Sequence, residues 1–311
     1  MKLTEIRDGY QSGKFPKPSY INQMYDKHRV LFEYPELLKS SDVCSVTVDG
    51  EGVKVKFSTP PIEMCCAEGD VRTAPIEALN FGGYEKYEFE VLSRILDVLN
   101  ATSPVFFDIG ANAGFYSLGL SKLHSGLSAY AFEPIPSTYE LLCKNIELNG
   151  LKNIQIHNIA LSNHQGETVF YTYSSQSGAS SSEKLLEDCD AHEVSCRLET
   201  LDSLAGKLPP VDLVKCDVEG AELHVFEGGV STFSRDRPVI FTEMLRKWCS
   251  KFHYHPNAII SLLKGIGYQC YAINAAGLVN CPEVTDQTAE TNFLFLHAEK
   301  ESHLEIRKSL L

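Results

Sequence analysis

The chain has 311 residues and a formal net charge of −13 at pH 7, with a composition that is ordinary for a globular protein. This negative balance argues against a nucleic-acid partner, because affinity for polyanions depends on many Lys and Arg contacts to phosphate. The first residues lack the apolar core of a secretory signal, and no run approaches the ~20 apolar residues of a membrane span. We therefore predict a cytoplasmic protein without an integral membrane segment.

Ten cysteines are scattered along the chain without a C-x-x-C pair. Cys143, Cys216 and Cys270 stand in apolar surroundings in the sequence. We expect free thiols that pack as small core residues, rather than disulfides or zinc ligands. The adjacent Cys65 and Cys66 could not easily bind one ion together.

Residues 1–80 are predicted to form an N-terminal α+β extension. A helix is expected around residues 21–38, with an interruption at Pro35. Residues 43–57 alternate around a Gly-rich turn, which is typical of a β-hairpin. Residues 58–80 contain several prolines and are expected to be irregular, with one short helix. The extension could pack on the core, cap a site or pair with a second subunit in a homodimer, and the sequence leaves these alternatives open.

The stretch from Val105 to Leu118 has the most informative pattern in the chain. A short apolar run ends at Asp108, small residues follow, and an amphipathic run begins, as in a buried strand, a tight turn and a helix start. Such a turn aims free backbone N–H groups and the positive end of a helix at one point. Gly110 and Gly114 admit backbone conformations and close approaches that a Cβ would block.

Acidic residues also follow the next buried strands of the pattern. Glu133 ends the second apolar run, and a carboxylate at this place commonly holds both hydroxyls of a ribose. Asp217 and Glu243 follow the fourth and fifth strand-like runs. Because ligands of parallel sheets bind beyond the carboxyl ends of the strands, these acids together with Asp108 predict one acidic site at that edge.

Four motifs carry a resemblance to a known family. The order Asp108-x-Gly110-x-Asn112-x-Gly114, followed by Phe132-Glu133-Pro134, resembles the S-adenosylmethionine site of class I methyltransferases. Residues 200–204 (Thr-Leu-Asp-Ser-Leu) and 214–222 (Val-Lys-Cys-Asp-Val-Glu-Gly-Ala-Glu) narrow the resemblance to the FkbM family of O-methyltransferases. The similarity covers roughly residues 82–297. It implies an α/β fold with a doubly wound, mostly parallel, seven-stranded Rossmann-like sheet, and S-adenosyl-L-methionine as the cofactor.

The resemblance also implies a division of the chain. The methyltransferase domain would span residues 81–300, with residues 301–311 as a C-terminal tail. Residues 163–199 exceed the connection that a compact doubly wound domain needs, and they contain a serine-rich loop between two strand-like runs. A flexible linker and a mobile lid over the cofactor explain this insertion equally well. Asp202, just after it, is expected to cap a short helix.

The cofactor contacts that the resemblance implies lie in the turn, at the strand ends and ahead of the first strand. Asp108 would face the amine of the cofactor and Glu133 its ribose. For Tyr84 and Glu88, each taken singly, a role at a helix start is the simpler explanation. The expected cofactor-binding residues are Tyr84, Glu88, Asp108, Gly110, Asn112, Gly114, Tyr116, Ser117, Glu133, Pro134, Ala160, Leu161 and Asp217.

Methyl transfer to a hydroxyl requires alignment with the sulfonium and a base that accepts the hydroxyl proton. The candidates are Asp217, Glu219, Glu243, His253 and His255. Histidine is better matched to proton transfer near neutral pH, although a lone histidine is more often an ordinary surface or core residue. No metal is expected, with one alternative: Asp217 and Glu243 could share Mg²⁺ that polarises the acceptor oxygen.

We predict an O-methyltransferase for a small-molecule or glycan acceptor, such as a sugar, a glycolipid or a secondary metabolite. An NAD-dependent oxidoreductase would use the same sheet, but Asn112 and the missing third glycine of G-x-G-x-x-G count against it. N-methylation of a small molecule, protein or RNA is the closest rival. The usual Asn/Asp-Pro-Pro-Tyr motif of such enzymes is replaced after the fourth strand by Asp217-Val218-Glu219-Gly220. A silent binding module would have lost the acids.

Overall fold

The computed structural model describes residues 1–99, 103–186, 191–274 and 277–310, and it confirms an α/β fold with a doubly wound central sheet. The strands are β1 (Val43–Asp49), β2 (Gly52–Phe57), β3 (Glu63–Cys65), β4 (Val105–Ile109), β5 (Ser128–Phe132), β6 (Ile154–His157), β7 (Ala160–Leu161), β8 (Gly166–Tyr173), β9 (Ala191–Glu199), β10 (Leu213–Cys216), β11 (Val239–Glu243), β12 (Tyr268–Asn274), β13 (Gly277–Asn280) and β14 (Asn292–His297). The helices are α1 (Leu3–Gln11), α2 (Lys17–His28), α3 (Tyr34–Leu38), α4 (Ala74–Phe81), α5 (Lys86–Leu99), α6 (Phe115–Leu123), α7 (Pro136–Leu148), α8 (Leu201–Leu204), α9 (Glu222–Glu227), α10 (Val230–Asp236), α11 (Arg246–Cys249), α12 (Asn257–Gly265) and α13 (Glu301–Leu310).

The central sheet has eight strands in the order β13-β12-β14-β11-β10-β4-β5-β6. The strands from β11 to β6 are parallel, and β14 runs antiparallel to both of its neighbours. The predicted count of seven strands is wrong by one, because β13 pairs with β12 at the edge. This strand has four residues and begins at a glycine, so its sequence carries little β signal.

Helices cover both faces of the central sheet, and alternate strand residues therefore enter two separate apolar clusters. Phe106 and Leu213 belong to the cluster on one face, whereas their neighbours Phe107 and Val214 belong to the cluster on the other. Burial on both faces explains why these strands are continuous apolar runs. The chain reverses its direction of winding at β4, which lies between β10 and β5, and this reversal opens a crevice at the carboxyl ends of the strands.

The N-terminal extension carries its own three-stranded sheet, in the order β1-β2-β3. Residues 43–57 form the hairpin β1–β2. The strand β3 was not expected. Two asparagines, one in α7 and one at the C-terminal end of α7, bind the backbone of β3. Asn145 Oδ1 accepts a hydrogen bond from Cys65 N at 2.8 Å, and Asn149 Oδ1 accepts one from Glu63 N at 2.9 Å. These bonds attach the extension to the domain that contains the central sheet.

The helix expected around residues 21–38, with an interruption at Pro35, is two helices, and the break between them lies before Pro35. α2 ends at His28, a 3-10 turn spans Arg29–Phe32, and α3 begins at Tyr34 with Pro35 in its first turn. Proline has no N–H to donate and disfavours helical geometry in the residue before it, so it begins a helix better than it continues one. Neither α2 nor α3 buries a residue, and Phe32 is 73% exposed. The homodimer through this extension stays a prediction.

Residues 301–310, which were expected to be a tail, form the helix α13. Its Ile306 is fully buried in the same cluster as residues of α5. The division into an extension, a methyltransferase domain and a tail stays a prediction.

Asp202 does not cap the helix that contains it. Thr200 Oγ1 caps α8 by accepting a hydrogen bond from Ser203 N, while the Asp202 carboxylate accepts from Ser231 N at 3.0 Å and Thr232 N at 2.8 Å. Asp202 therefore caps α10, about 30 residues further along the sequence. The prediction that it caps the short helix near its own position is wrong.

Asp202→Ala should lower the free energy of unfolding by about 1 to 2 kcal/mol, because it leaves the first N–H groups of α10 without their acceptor. Urea denaturation followed by circular dichroism measures this difference. The control is Asp286→Ala, which removes an exposed carboxylate paired with Arg246 and should change stability by less than about 0.5 kcal/mol. Equal effects of the two substitutions would contradict the assignment.

Candidate functional site

A cavity of about 660 Å³ opens at the carboxyl ends of β4, β5, β10 and β11. It lies where the winding of the sheet reverses, which is the usual ligand site of an open α/β sheet. The structure brings most of the residues predicted from the sequence together around this one cavity. They are Tyr84, Gly110, Asn112, Gly114, Tyr116, Glu133, Pro134, Ala160, Leu161, Asp217, Glu219 and Glu243.

The turn between β4 and α6 forms one side of the cavity, and its two glycines are required for different contacts. Gly110 has φ +79°, and a Cβ there would lie 1.8 Å from the carbonyl oxygen of Asp217. Gly114 has φ +94°, and its Cβ would lie 2.3 Å from Leu142 Cδ1. Glycine at position 110 therefore lets the ends of β4 and β10 approach each other closely.

The backbone N–H groups of residues 110–114 already have acceptors within the protein, so these five are not free for a ligand, in contrast with the expectation for the turn. Gly110 N and Ala111 N both donate to the carbonyl of Phe132, and Gly114 N donates to Ala111 O. Asn112 N donates to Glu133 Oε2 at 2.9 Å. Recognition of a ligand at residues 110–114 therefore depends on side chains and on shape rather than on these N–H groups.

Glu133 connects the turn to the next strand and is 6% exposed. Its Oε2 accepts from Asn112 N, and its Oε1 accepts from Ile135 N at 2.9 Å. Burial raises the pKa of Glu133 to about 7, although these two hydrogen bonds favour the ionised form. Each carboxylate oxygen accepts one N–H group and has capacity for a further donor from a ligand.

Asp108 lies beneath the turn and does not line the cavity, in contrast with its expected contact to a ligand amine. It is 1% exposed, and its Oδ2 accepts from Ser117 N at 3.1 Å and from Ser117 Oγ at 2.6 Å. Ser117 is itself fully buried and does not line the cavity either. The Asp108 carboxylate therefore holds the first turn of α6 against the end of β4, while its Oδ1 is buried without a hydrogen-bond partner among the described residues.

Three other predicted residues also lie outside the cavity lining. Glu88 Oε1 accepts a hydrogen bond from Asn292 Nδ2 at 3.1 Å, so it connects α5 to β14. His253 and His255 are exposed on the segment between α11 and α12, where His255 Nδ1 accepts from Asn257 N at 3.3 Å. This placement gives no geometric support for either histidine as the base.

The acids on the other side of the cavity form a cluster of like charge. Asp217 follows β10, Glu219 stands in the next turn with φ +53°, and Glu243 ends β11. Burial and the nearby carboxylates of Asp217 and Glu243 raise the pKa of Glu219 well above its ordinary value. Burial and the carboxylates of Asp217 and Glu85 also raise the pKa of Glu243. The cluster therefore holds protons more tightly than isolated carboxyl groups would.

Glu222 holds the turn that carries Glu219. Its Oε1 accepts from Val218 N and Gly220 N, each at 3.1 Å, and Tyr254 donates to its other oxygen at 3.2 Å. The residue is 2% exposed and does not line the cavity. It therefore positions Glu219, rather than serving only the charge preference of a helix end.

Two lining residues missed from the sequence, Lys215 and Glu85, connect the cluster to the turn. Lys215 Nζ donates to Asp217 Oδ2 at 3.1 Å and lies 4.8 Å from the ring centroid of Tyr116. Tyr116 in turn donates to Glu85 Oε2 at 2.6 Å. Burial alone would lower the pKa of Lys215, but the carboxylates of Asp217, Asp108 and Glu85 outweigh it and raise that pKa. Lys215 is therefore a buried cation that fixes Asp217.

The serine-rich part of the insertion covers the cavity. We call residues 174–186 the lid; residues 187–190, within the expected insertion, lie outside the described residues. Ser177 N donates to Asp70 Oδ2 at 3.0 Å, and Ser181 Oγ donates to the carbonyl of Glu219 at 3.2 Å. Lid residues 176–180 line the cavity together with Arg72 of the N-terminal extension. The lid is thus attached both to the extension and to the acidic cluster.

The far end of the cavity is formed by α11, which follows Glu243 closely. Lys247 and Trp248 line it, and the Lys247 ammonium lies 4.2 Å from the centroid of the Trp248 ring. Position alone could have identified these residues, because they come just after the carboxyl end of a core strand. Arg72 and Glu85 carried no such signal.

Within the described ranges, no group of three or more His, Cys, Asp or Glu side chains is arranged to hold a metal ion. Asp217 and Glu243 therefore lack a third protein ligand of these types there. Among the helices in those ranges, none combines the length and apolarity needed to cross a bilayer.

Comparison with known proteins gives a consistent result. The family model described as the methyltransferase FkbM domain matches residues 108–270. Methyltransferase 1 of Beauveria bassiana is 28% identical over 142 residues, which are 39% of this chain and 56% of that protein. The methyltransferase sdnD of Sordaria araneosa is 29% identical over 42% of this chain and 63% of its own length. The chain thus spans about three fifths of the length of these two relatives.

A third relative has a more specific name. The 2-O-methyltransferase NoeI of Sinorhizobium fredii is 26% identical over 170 residues, which are 50% of this chain and 68% of that protein. Among solved structures, a methyltransferase FkbM from Methylobacillus flagellatus aligns with a TM-score of 0.39 and 15% identity, over 62% of this chain and 44% of that one.

Proposed function

Because the chain belongs to the FkbM family of methyltransferases, we propose that it transfers a methyl group from S-adenosyl-L-methionine to a hydroxyl oxygen of a sugar, a glycolipid or a secondary metabolite. The observation that carries this proposal is the single cavity lined by the Gly110–Gly114 turn, Glu133 and the acids after β10 and β11. A cofactor and an acceptor can meet there without further rearrangement of the sheet.

The residues of the cavity fit the proposed cofactor. Glu133 is a buried carboxylate with capacity for two ribose hydroxyls, and Ala160 and Leu161 supply an apolar surface for a base. Glu85 and Asp217 offer negative charge to an ammonium group, and Lys215 keeps Asp217 in place. When bound, the sulfonium would supply an activated methyl group.

The acids beyond Asp217 suit a neutral acceptor with several hydroxyls. The pKa of Glu219 and that of Glu243 are both raised, and a carboxyl group that holds a proton can donate as well as accept hydrogen bonds. Asp217, in its ion pair with Lys215, is an acceptor for the proton of the attacking hydroxyl. Trp248 offers a flat apolar face for a sugar ring. The name of the relative NoeI, a 2-O-methyltransferase, is consistent with oxygen as the methyl acceptor.

The test is a methyl-transfer screen with labelled S-adenosylmethionine against carbohydrate and metabolite extracts, with the linkage in the product assigned by NMR. We expect an O-methyl product, and turnover that survives EDTA. An N-methyl product would contradict the choice of oxygen. Loss of turnover on EDTA that Mg²⁺ restores would show that the reaction requires a divalent ion, and Asp217 and Glu243 would then be its first candidate ligands. Calorimetry should show binding of S-adenosylhomocysteine and none of NAD; the reverse would overturn the proposal.

Asp70→Ala should shorten the time for which the protein retains S-adenosylhomocysteine. The substitution removes the acceptors of Ser177 N and Arg72 N, so the lid loses a contact to the extension. A loss of about 1 to 2 kcal/mol predicts dissociation that is roughly 5- to 30-fold faster in stopped-flow measurements. Asp49→Ala, in the exposed turn of the β1–β2 hairpin, is the control and should dissociate like the native protein. Unchanged dissociation in Asp70→Ala would show that the lid does not limit release.

A further inference from the structure

Two cysteines lie directly opposite each other at the edge of the central sheet, remote from the cavity. The register of β12 and β13 pairs Tyr271 with Asn280, so the next pair outward is Cys270 with Cys281. Cys281 N donates to the carbonyl of Cys270 at 2.9 Å. Both side chains belong to the same apolar cluster, so they lie on the same face of the sheet.

This arrangement has the geometry of a cross-strand disulfide. Cys270 and Cys281 form a hydrogen-bonded pair, whose Cα atoms are typically about 5.5 Å apart, and a disulfide requires roughly 4.4 to 6.8 Å. Cβ atoms of such pairs lie at about 5.5 Å, so the bond requires them to approach by about 1 Å to reach the disulfide range. No other pair of cysteines in the described residues is opposed in a strand register.

The two thiols are chemically unequal. They hydrogen-bond to each other, and this bond lowers the pKa of Cys281 to about 7 while it raises the pKa of Cys270. Cys281 also lines a second cavity, of about 270 Å³, which Cys270 does not. A small reagent can therefore reach Cys281, the more acidic thiol of the pair, first.

We propose that Cys270 and Cys281 form a reversible disulfide when the folded protein meets a small-molecule disulfide such as oxidised glutathione. The Cys281 thiolate attacks one sulfur of the oxidant, and the other sulfur leaves as a thiolate that takes up a proton. Cys270 then loses its proton and attacks the Cys281 sulfur, which releases the second glutathione. The two protein thiols are oxidised, and one glutathione disulfide is reduced to two thiols.

The test is thiol mapping of the native chain. The protein is incubated with oxidised glutathione, alkylated and digested with trypsin, which leaves both cysteines in the lysine- and arginine-free stretch 265–299 ending at Lys300. We expect this peptide to lack two hydrogen atoms and both alkyl groups, and to regain two alkylation sites after dithiothreitol. Chymotrypsin, which cuts after Tyr271 and Leu278, then separates the two cysteines only in the reduced sample.

Variants identify the order of attack. Cys270→Ser should stop at a mixed disulfide of Cys281 with glutathione, while Cys281→Ser should leave Cys270 unmodified. Cys249→Ser, which removes another buried thiol, should still form the bridge. Two alkylated cysteines in the oxidised native peptide, or stable glutathione on Cys281 beside free Cys270, would overturn the proposal. The peptide masses are measured without any assay of methyl transfer. The outcome for the disulfide is therefore independent of the proposed function.

Discussion

Gly110→Ala should abolish binding of S-adenosylhomocysteine and strongly destabilise the fold. The new Cβ would lie 1.8 Å from the Asp217 carbonyl oxygen, which is backbone and cannot rotate away. The positive φ of +79° adds about 1 to 2 kcal/mol of strain for any L side chain. Relief of the overlap requires the ends of β4 and β10 to separate, and this opens the cavity between them. Calorimetry with S-adenosylhomocysteine and thermal unfolding by circular dichroism measure the two effects.

The matched control for this substitution is Gly126→Ala. Position 126 follows α6 and lacks a positive φ, and a Cβ added there would meet no atom within 4 Å, so alanine fits. Affinity and melting temperature should match those of the native protein. Native affinity in Gly110→Ala would mean that the ends of β4 and β10 do not approach each other closely. It would then contradict the placement of the ligand cavity between them.

Glu133→Gln should weaken the binding of S-adenosylhomocysteine by about 10- to 100-fold, because hydrogen bonds to a charged group are worth roughly 1.5 to 3 kcal/mol. The amide also presents a donor to one of the two backbone N–H groups that the carboxylate accepts, Asn112 N or Ile135 N. Glu199→Gln is the control. Glu199 is equally buried, at 6% exposure, but it does not line the cavity, so its substitution should leave the affinity unchanged.

The pH dependence of binding shows whether the negative charge of Glu133, and not only the shape of its side chain, contributes to the affinity for S-adenosylhomocysteine. The pKa of Glu133 is about 7, and the ionised form is the better acceptor for two hydroxyls. Affinity should therefore rise as pH rises from about 6 to about 8, since binding to the carboxylate competes with its proton. Glu133→Gln should show a smaller rise over the same range. Identical pH profiles in the two proteins would exclude Glu133 as the titrating group.

Residues whose role follows from local pattern were predictable from the sequence. Gly110, Glu133 and Asp217 each stand at the end of an apolar run, and parallel strands bring such ends to one edge. The same rule placed Asp108 too far into the site. The rule considers which strand an acid ends, but not the face of the sheet to which its side chain points. The Asp108 side chain points beneath the turn, where it accepts a hydrogen bond from Ser117 Oγ.

Contacts between distant parts of the chain were not predictable. Asp70 and Ser177 meet across 107 positions, and neither stands in a pattern that indicates the other. Glu85 precedes a helix and resembles an ordinary helix-start residue, yet its partner Tyr116 is fixed by the packing of α6. The two exposed histidines were chosen by chemistry alone, whereas Glu243 was chosen by both chemistry and position.

The N-terminal extension contributes to the wall of the cavity as well as to the attachment of the lid at Asp70. Part of the boundary of the cavity is encoded outside residues 108–270, which the family model matches, by Met64, Arg72 and Glu77. Substitutions at these positions can therefore change the shape of the cavity without altering any residue of the matched stretch.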